Sequence, residues 1–234
     1  MVRVNCRESR RLRIVNQSHP NPGSALSINW ANEHADAILE AWYPGEEGGT
    51  AIAQILAGAI NPAGRLPLTF YKGLEQLPSF DDYSMKDRTY RYFQGQPLYP
   101  FGYGLSYSRF AYSNLELSTL NLHAGDSLGV RVDVKNISDR DGDEVVQPYL
   151  NFPRLSGAPI RALRGFTRIR LAAGQTRRVQ FDLNARDLSM VNDAGIRLTA
   201  PGDYRITVGG GQPGPVASNA EARFVIRGEQ VLPE

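Results

Sequence analysis

Two carboxylates stand side by side at Glu46 and Glu47, inside the run Pro44-Gly45-Glu46-Glu47-Gly48-Gly49-Thr50. A pair of carboxyl groups is the machinery of glycosidic-bond hydrolysis, but the retaining version needs them about 5 Å apart across a sugar ring. Adjacent residues rarely face one point. The glycines open a tight turn into a helix, where the dipole favours negative charge and free N–H groups can hold a sugar hydroxyl or an anion. A turn and capping role explains the run more simply, and neither glutamate is assigned as a catalyst. The second chemical feature is aromatic. The stretch Tyr99-Pro100-Phe101-Gly102-Tyr103-Gly104-Leu105-Ser106-Tyr107 could stack on pyranose faces or join two domains by burying large ring area, and the joining role is favoured. Arg88 and Arg91 precede it and are expected to anchor it through charge-assisted bonds.

Other chemistry is sparse. His19, His34 and His123 are scattered without metal-ligand spacing, and Cys6 is the single cysteine, so no metal site, cofactor site or internal disulfide is expected. Asn136-Ile137-Ser138 fits a glycosylation sequon. The formal net charge is +2 over 234 residues, but residues 1–14 hold five arginines against one acid. The remainder is therefore about −2, with no electrostatic footprint for nucleic acid. No run approaches the ~18 apolar residues of a membrane span, and no signal segment is visible.

The elements that must position these residues fall into blocks. Residues 1–22, with five arginines and His19-Pro20-Asn21-Pro22, read as a basic leader that forms neither strand nor amphipathic helix. Residues 23–76 read as α/β. The run Ala35–Trp42 is a buried strand or a helix end. Ile52, Ile55 and Leu56 then mark one face of a helix that stops at Gly58. Residues 77–113 read as an irregular aromatic linker. Residues 114–228 alternate apolar and polar between turns such as Ala124-Gly125-Asp126 and Pro201-Gly202-Asp203, which predicts a seven- or eight-stranded β-sandwich of immunoglobulin or fibronectin type III kind. Its expected core is Val130, Val132, Val134, Val145, Leu163, Phe166, Val179, Phe181, Leu183, Tyr204, Ile206 and Val208. Residues 229–234 read as a tail.

Three segments in order resemble the C-terminal portion of family 3 glycoside hydrolases. They are AWYPGEEGGTAIAQILAGAINPAGRLPLTFY (41–71), RTYRYFQGQPLYPFGYGLSYSRF (88–110), and the pair EVVQPYL (144–150) with RALRGFTRIRLAAGQTRRVQFDL (161–183). PGDYRITVGG (201–210) fits the same terminal domain. Asp87 stands where the family commonly has glycine.

The resemblance implies a mainly β chain: a fibronectin type III-like sandwich preceded by the remnant of an α/β sandwich domain. It implies a fragment of an enzyme acting on β-glucosides or β-xylosides. In that family the aspartate nucleophile lies on a (β/α)8 barrel and the acid/base lies upstream, so this chain is expected to hydrolyse O-glycosyl bonds only with the missing barrel. The alternative is a non-catalytic accessory module for stabilisation, dimerisation or carbohydrate binding. The barrel is the expected partner, with self-association and carbohydrate open, and with no nucleic acid or membrane partner. Family members are often periplasmic or secreted; the compartment of this chain is left open.

Overall fold

The computed structural model describes residues 12–15, 25–214 and 218–233. The first finding corrects the reading of the leader. Leu12–Val15 forms a strand, β1, paired in parallel with β2 (Ala37–Glu40) in the register Leu12↔Ala37 to Val15↔Glu40. The partner strand lies outside the leader itself, where the leader's composition does not show it. The rest of the expectation for residues 1–22 lies outside the described residues.

Helix α1 (Asn29–His34) precedes β2, and α2 (Gly48–Leu56) follows it. All four residues of β2 are buried, as a parallel strand covered on both faces requires. The ambiguity over Ala35–Trp42 thus resolves to a strand. Gly58 ends α2 at φ +73, the left-handed stop that glycine adopts without steric cost. A short helix, α3 (Thr89–Tyr92), lies in the linker.

The sandwich begins earlier than position 114, with β3 (Phe110–Leu117). It continues through β4 (Asn121–His123), β5 (Leu128–Asn136), β6 (Gly142–Asn151), β7 (Ala162–Leu163), β8 (Thr167–Leu171) and β9 (Thr176–Leu183). Two further strands, β10 (Met190–Val191) and β11 (Arg197–Thr199), precede the long hairpin β12 (Gly202–Gly209) and β13 (Asn219–Arg227). The final strand, β14 (Gln230–Val231), pairs with β11, so residues 229–234 are not simply a tail. One sheet is β3-β5-β9; the other runs β4-β13-β12-β6-β7, with β8 also on β6. The strands β10, β11 and β14 form a small third sheet.

The main sandwich therefore has nine strands among the described residues, against the expected seven or eight. The extra strand comes from a break. β6 pairs with β8 from Gly142 to Val146 and with β7 at Tyr149 and Leu150. Between them sits Pro148, which has no N–H to donate, opposite the bulge at Gly165 (φ +152). That bulge turns Phe166 outward to 71% exposure and leaves Leu163 only partly buried, so neither belongs to the core.

The core otherwise follows period two. Leu128, Val130, Val132 and Val134 of β5 face Val146, Leu150, Tyr204, Ile206 and Val208 across the sandwich. Val146, not Val145, points inward, because the inward set of β6 is the even-numbered one that includes Leu150. Phe181 packs against the core only partly buried. The Tyr204 hydroxyl donates to the Ala200 carbonyl at 2.8 Å, which ties the corner leading into β12.

β6 is buried on both faces from Glu144 to Leu150 apart from Val145. Its outer face is covered by the linker: Tyr90 meets Tyr149 edge to face at 6.1 Å and stacks on Phe101 at 4.2 Å. Asn136 of the sequon is fully buried, and its amide donates to the carbonyls of Arg140 (2.8 Å) and Leu171 (3.2 Å). In the folded chain it is no glycan acceptor. It instead closes an Asx turn through Ser138 N–H at 3.0 Å.

Candidate functional site

The glutamate pair lies at the start of α2. Glu46 and Glu47 are exposed, and Glu47 occupies the N-cap position without a side-chain capping bond. Of the three glycines, Gly48 is sterically required, since a Cβ there would overlap Pro44. Glu40 is the carboxylate that this turn encloses. It ends β2 and is only 7% exposed. One oxygen accepts the Trp42 backbone N–H at 3.1 Å, and the other has no partner among the described residues. Burial pushes its pKa up, partly offset by that N–H. Trp42 holds φ +49, a rare conformation for a large side chain, while its ring packs edge to face on Phe70. Glu40, Pro44, Gly45, Gly48 and Ile52 line one pocket of about 630 Å³. Sequence reasoning passed over Glu40; the signal was a single charge inside an otherwise apolar run.

A second polar centre joins the α/β unit to the sandwich. Arg65 follows the Asn61-Pro62 turn, and its Nη2 donates to Glu144 Oε2 at 3.0 Å. The two side chains are 10% and 3% exposed. Tyr112 of β3 donates to the other carboxylate oxygen at 2.9 Å, and Arg65 Nε donates to the Gly210 carbonyl at 2.8 Å. Gln147 extends the network to Gly210 at 3.1 Å and receives the Tyr149 hydroxyl at 2.8 Å. Desolvation raises the Glu144 pKa, with Arg65 pulling the other way, and it drives the Tyr112 hydroxyl well above the ordinary phenol. A Cβ at Gly210 would overlap Glu144, so the close approach needs glycine.

The remaining joints are hydrogen bonds across the same seam. Asn61 donates to Ser108 Oγ (2.7 Å) and Asp141 O (2.9 Å) and accepts from Ser106 (2.8 Å) and Tyr107 N–H (2.9 Å). At the end of α2 the turn closes on itself, with Gly58 N–H donating to Ile55 O at 3.0 Å. Here Tyr107 donates to Ile55 O at 2.7 Å and Arg140 donates to Gly58 O at 2.7 Å. The aromatic stretch thus glues units together: Phe70, Tyr99 and Leu66 form a small core of their own. Arg88 does anchor the linker, through the carbonyls of Ser79, Asp82 and Ser84. Arg91 acts mainly through its backbone carbonyl, which accepts Ile160 N–H at 2.7 Å. Asp87 sits at φ +54, a left-handed position that suits the family's glycine.

Chemically, this arrangement positions domains. Among the described residues no cluster of three or more His, Cys, Asp or Glu could hold a metal ion.

The comparisons with known proteins agree with this architecture. Residues 15–107 match the model of the glycosyl hydrolase family 3 C-terminal domain, and residues 144–212 match the fibronectin type III-like domain. A xylan 1,4-beta-xylosidase of Xylanibacter ruminicola is 41% identical over 80% of the chain, which spans 22% of that protein. A periplasmic beta-glucosidase of Salmonella typhimurium is 35% identical over 80% of the chain and 26% of its own length. The solved β-glucosidase of Erythrobacter marinus superposes with a TM-score of 0.77 at 36% identity, over 92% of the chain and 28% of that structure. The chain therefore spans about a quarter of the length of the relatives it matches. It belongs to glycosyl hydrolase family 3, and corresponds to the C-terminal portion of its members.

Proposed function

We propose that the enzyme to which this chain belongs removes terminal β-linked glucose or xylose, and that this chain supplies scaffold rather than catalytic carboxylates. The observation that carries the reading is the match, in family order, of both domains to β-xylosidases and β-glucosidases about four times longer. The state of the acids supports it. Glu144 is held by Arg65 and Tyr112, Glu40 is buried at a strand end, and Glu46 and Glu47 lie exposed at a turn. Retaining hydrolysis needs one carboxylate to form the glycosyl-enzyme and a second carboxyl group to protonate the leaving oxygen. Those groups come from the part of the enzyme that relatives carry ahead of the matching region.

The purified chain should release no nitrophenol from nitrophenyl β-glucoside or β-xyloside above the buffer rate. Steady turnover that disappears in the double variant Glu46→Gln, Glu47→Gln would overturn this reading and make that pair catalytic.

A further inference from the structure

Between the α/β unit and α3 the chain holds two aromatic rings out in water. Phe80 and Tyr83 are each 91% exposed, more than any other large hydrophobic side chain among the described residues. Single exposed apolar side chains are ordinary, but two whole rings on one turn call for a reason. The backbone that carries them is pinned. Arg88 Nη2 donates to the Ser79 carbonyl at 3.1 Å and to the Asp82 carbonyl as well, and Nε donates to Ser84 O at 3.0 Å. Asp82 N–H donates to Ser79 O at 3.0 Å, closing the turn that carries Phe80. Ser79 immediately precedes Phe80 and Asp82 immediately precedes Tyr83. One guanidinium nitrogen therefore holds both ring-bearing residues together.

The ends of this loop are fixed too. Gln76 accepts Lys72 N–H at 2.7 Å and donates to Gln96 O at 3.1 Å. Asp87 and Thr89, on either side of Arg88, both hold φ +54, and Thr89 N–H donates to the Tyr71 hydroxyl at 2.8 Å. Left-handed backbone at two such residues is strained. Strain and exposed rings in one pinned loop are the marks of a binding loop.

The charges around the rings narrow the occupant. Residues 73–87 hold four acids, Glu75, Asp81, Asp82 and Asp87, against Lys86 alone. Glu75, Asp81 and Asp82 are exposed. A protein surface laid over the rings would bury these carboxylates at high cost, and an acidic ligand would be repelled. A neutral sugar meets neither objection. A β-linked glucose or xylose ring carries its hydroxyls around the rim and offers C–H bonds on both faces. The faces suit an aromatic ring, and the hydroxyls supply donors to carboxylates, which only accept.

We propose that the Phe80–Tyr83 turn is a binding platform for a neutral chain of β-linked xylose or glucose. The sugar faces stack on the two rings and rim hydroxyls donate to Asp81. The choice of sugar rests on the proposed function; the platform itself rests on the loop.

The test is titration of the purified chain, by calorimetry, with xylohexaose, cellohexaose, maltohexaose, hexagalacturonate and methyl β-xyloside. One of the two β-linked hexaoses should bind at least tenfold more tightly than methyl β-xyloside, and added salt should change this little. Phe80→Ala and Tyr83→Ala should each weaken binding by tenfold or more, Tyr83→Phe by much less, and Asp81→Ala by a few-fold. The melting temperature should not move, because both rings stand clear of the packed chain. No binding of any hexaose, or binding indifferent to the paired ring variant, would overturn the platform and leave the hydrolytic reading untouched. Preference for the α-linked maltohexaose would overturn the sugar taken from that reading, and equal binding of hexagalacturonate would overturn the role of the acids. Loss of self-association rather than of sugar binding in the paired variant would give the rings to a second copy of the chain and overturn the proposal.

Discussion

The α/β unit and the sandwich solve burial in opposite ways. The sandwich closes on itself: two sheets face each other and eighteen buried residues form one continuous cluster, most of them apolar at alternate positions. The α/β unit has two parallel strands and one helix of length, and its small cluster of Leu66 and Phe70 is completed by Tyr99 from the linker. It leaves Trp30, Tyr43, Leu56 and Ile60 exposed. The difference teaches that the sandwich is stabilised by its own faces, whereas the α/β unit is held by what it touches, chiefly the seam at Arg65, Asn61 and Tyr107. Parallel strands normally need cover on both faces, and two strands cannot supply it.

The sharpest way to break the comparison is at the seam. Arg65→Met leaves Glu144 buried and unpaired, and should cost about 3–5 kcal/mol by denaturant unfolding at pH 7. The double variant Arg65→Met, Glu144→Leu should recover much of that loss. The deficit of the single variant has a definite sign with pH. Burial already raises the Glu144 pKa, so its proton is favoured in the folded state, and the penalty grows as pH rises through the carboxylate range. Unfolding at pH 4 should therefore show a smaller loss than at pH 7. An equal loss at both would mean that Arg65 acts by packing alone.

Within the sandwich, Leu150→Ala removes a fully buried side chain and should cost about 2–5 kcal/mol. The matched change on α2, Leu56→Ala at a 40% exposed position, should stay within about 0.5 kcal/mol. Similar costs would erase the contrast between the regions. The exposed side chains of the α/β unit should also make the chain self-associate. Sedimentation should show concentration-dependent oligomers, and Leu56→Glu with Ile60→Glu should shift the chain toward monomer. Clean monomers of the parent at high concentration would show that this face is satisfied as it stands. A gain rather than a loss is expected in the linker. Asp87→Gly should raise stability by up to ~1 kcal/mol, because the left-handed backbone there disfavours a side chain. A loss instead would reveal a bond made by the Asp87 carboxylate.

Much of this was legible in the chain of residues. Period two in Leu128–Val134 and Tyr204–Val208 is a local property of strands with one buried face, so the sandwich and most of its core could be read directly. The helix after Gly48-Gly49 and its stop at Gly58 follow from local rules as well. The errors came where a partner far along the chain decides. Leu12–Val15 becomes a strand because Ala37–Glu40 lies beside it. Val146 rather than Val145 enters the core because the face of β6 that carries Leu150 is the one turned to the opposite sheet, which only the fold decides. Phe166 turns out because a bulge opposite Pro148 intervenes.

The candidate sites divide the same way. Glu46 and Glu47 advertise themselves as a sequence pair, yet they stand exposed at a turn. Glu40 and the Arg65–Glu144 pair have no local pattern, since the members of the pair lie 79 residues apart and Glu40 looks like an ordinary charge. The residues alone carried the family and the order of the domains, through three long segments that resemble it in order, and the alternating faces of the sandwich, which depend on neighbours two residues apart. Only the tertiary structure decided which charges are buried and which stay unpaired, because desolvation and pairing depend on groups that the fold brings together from distant segments.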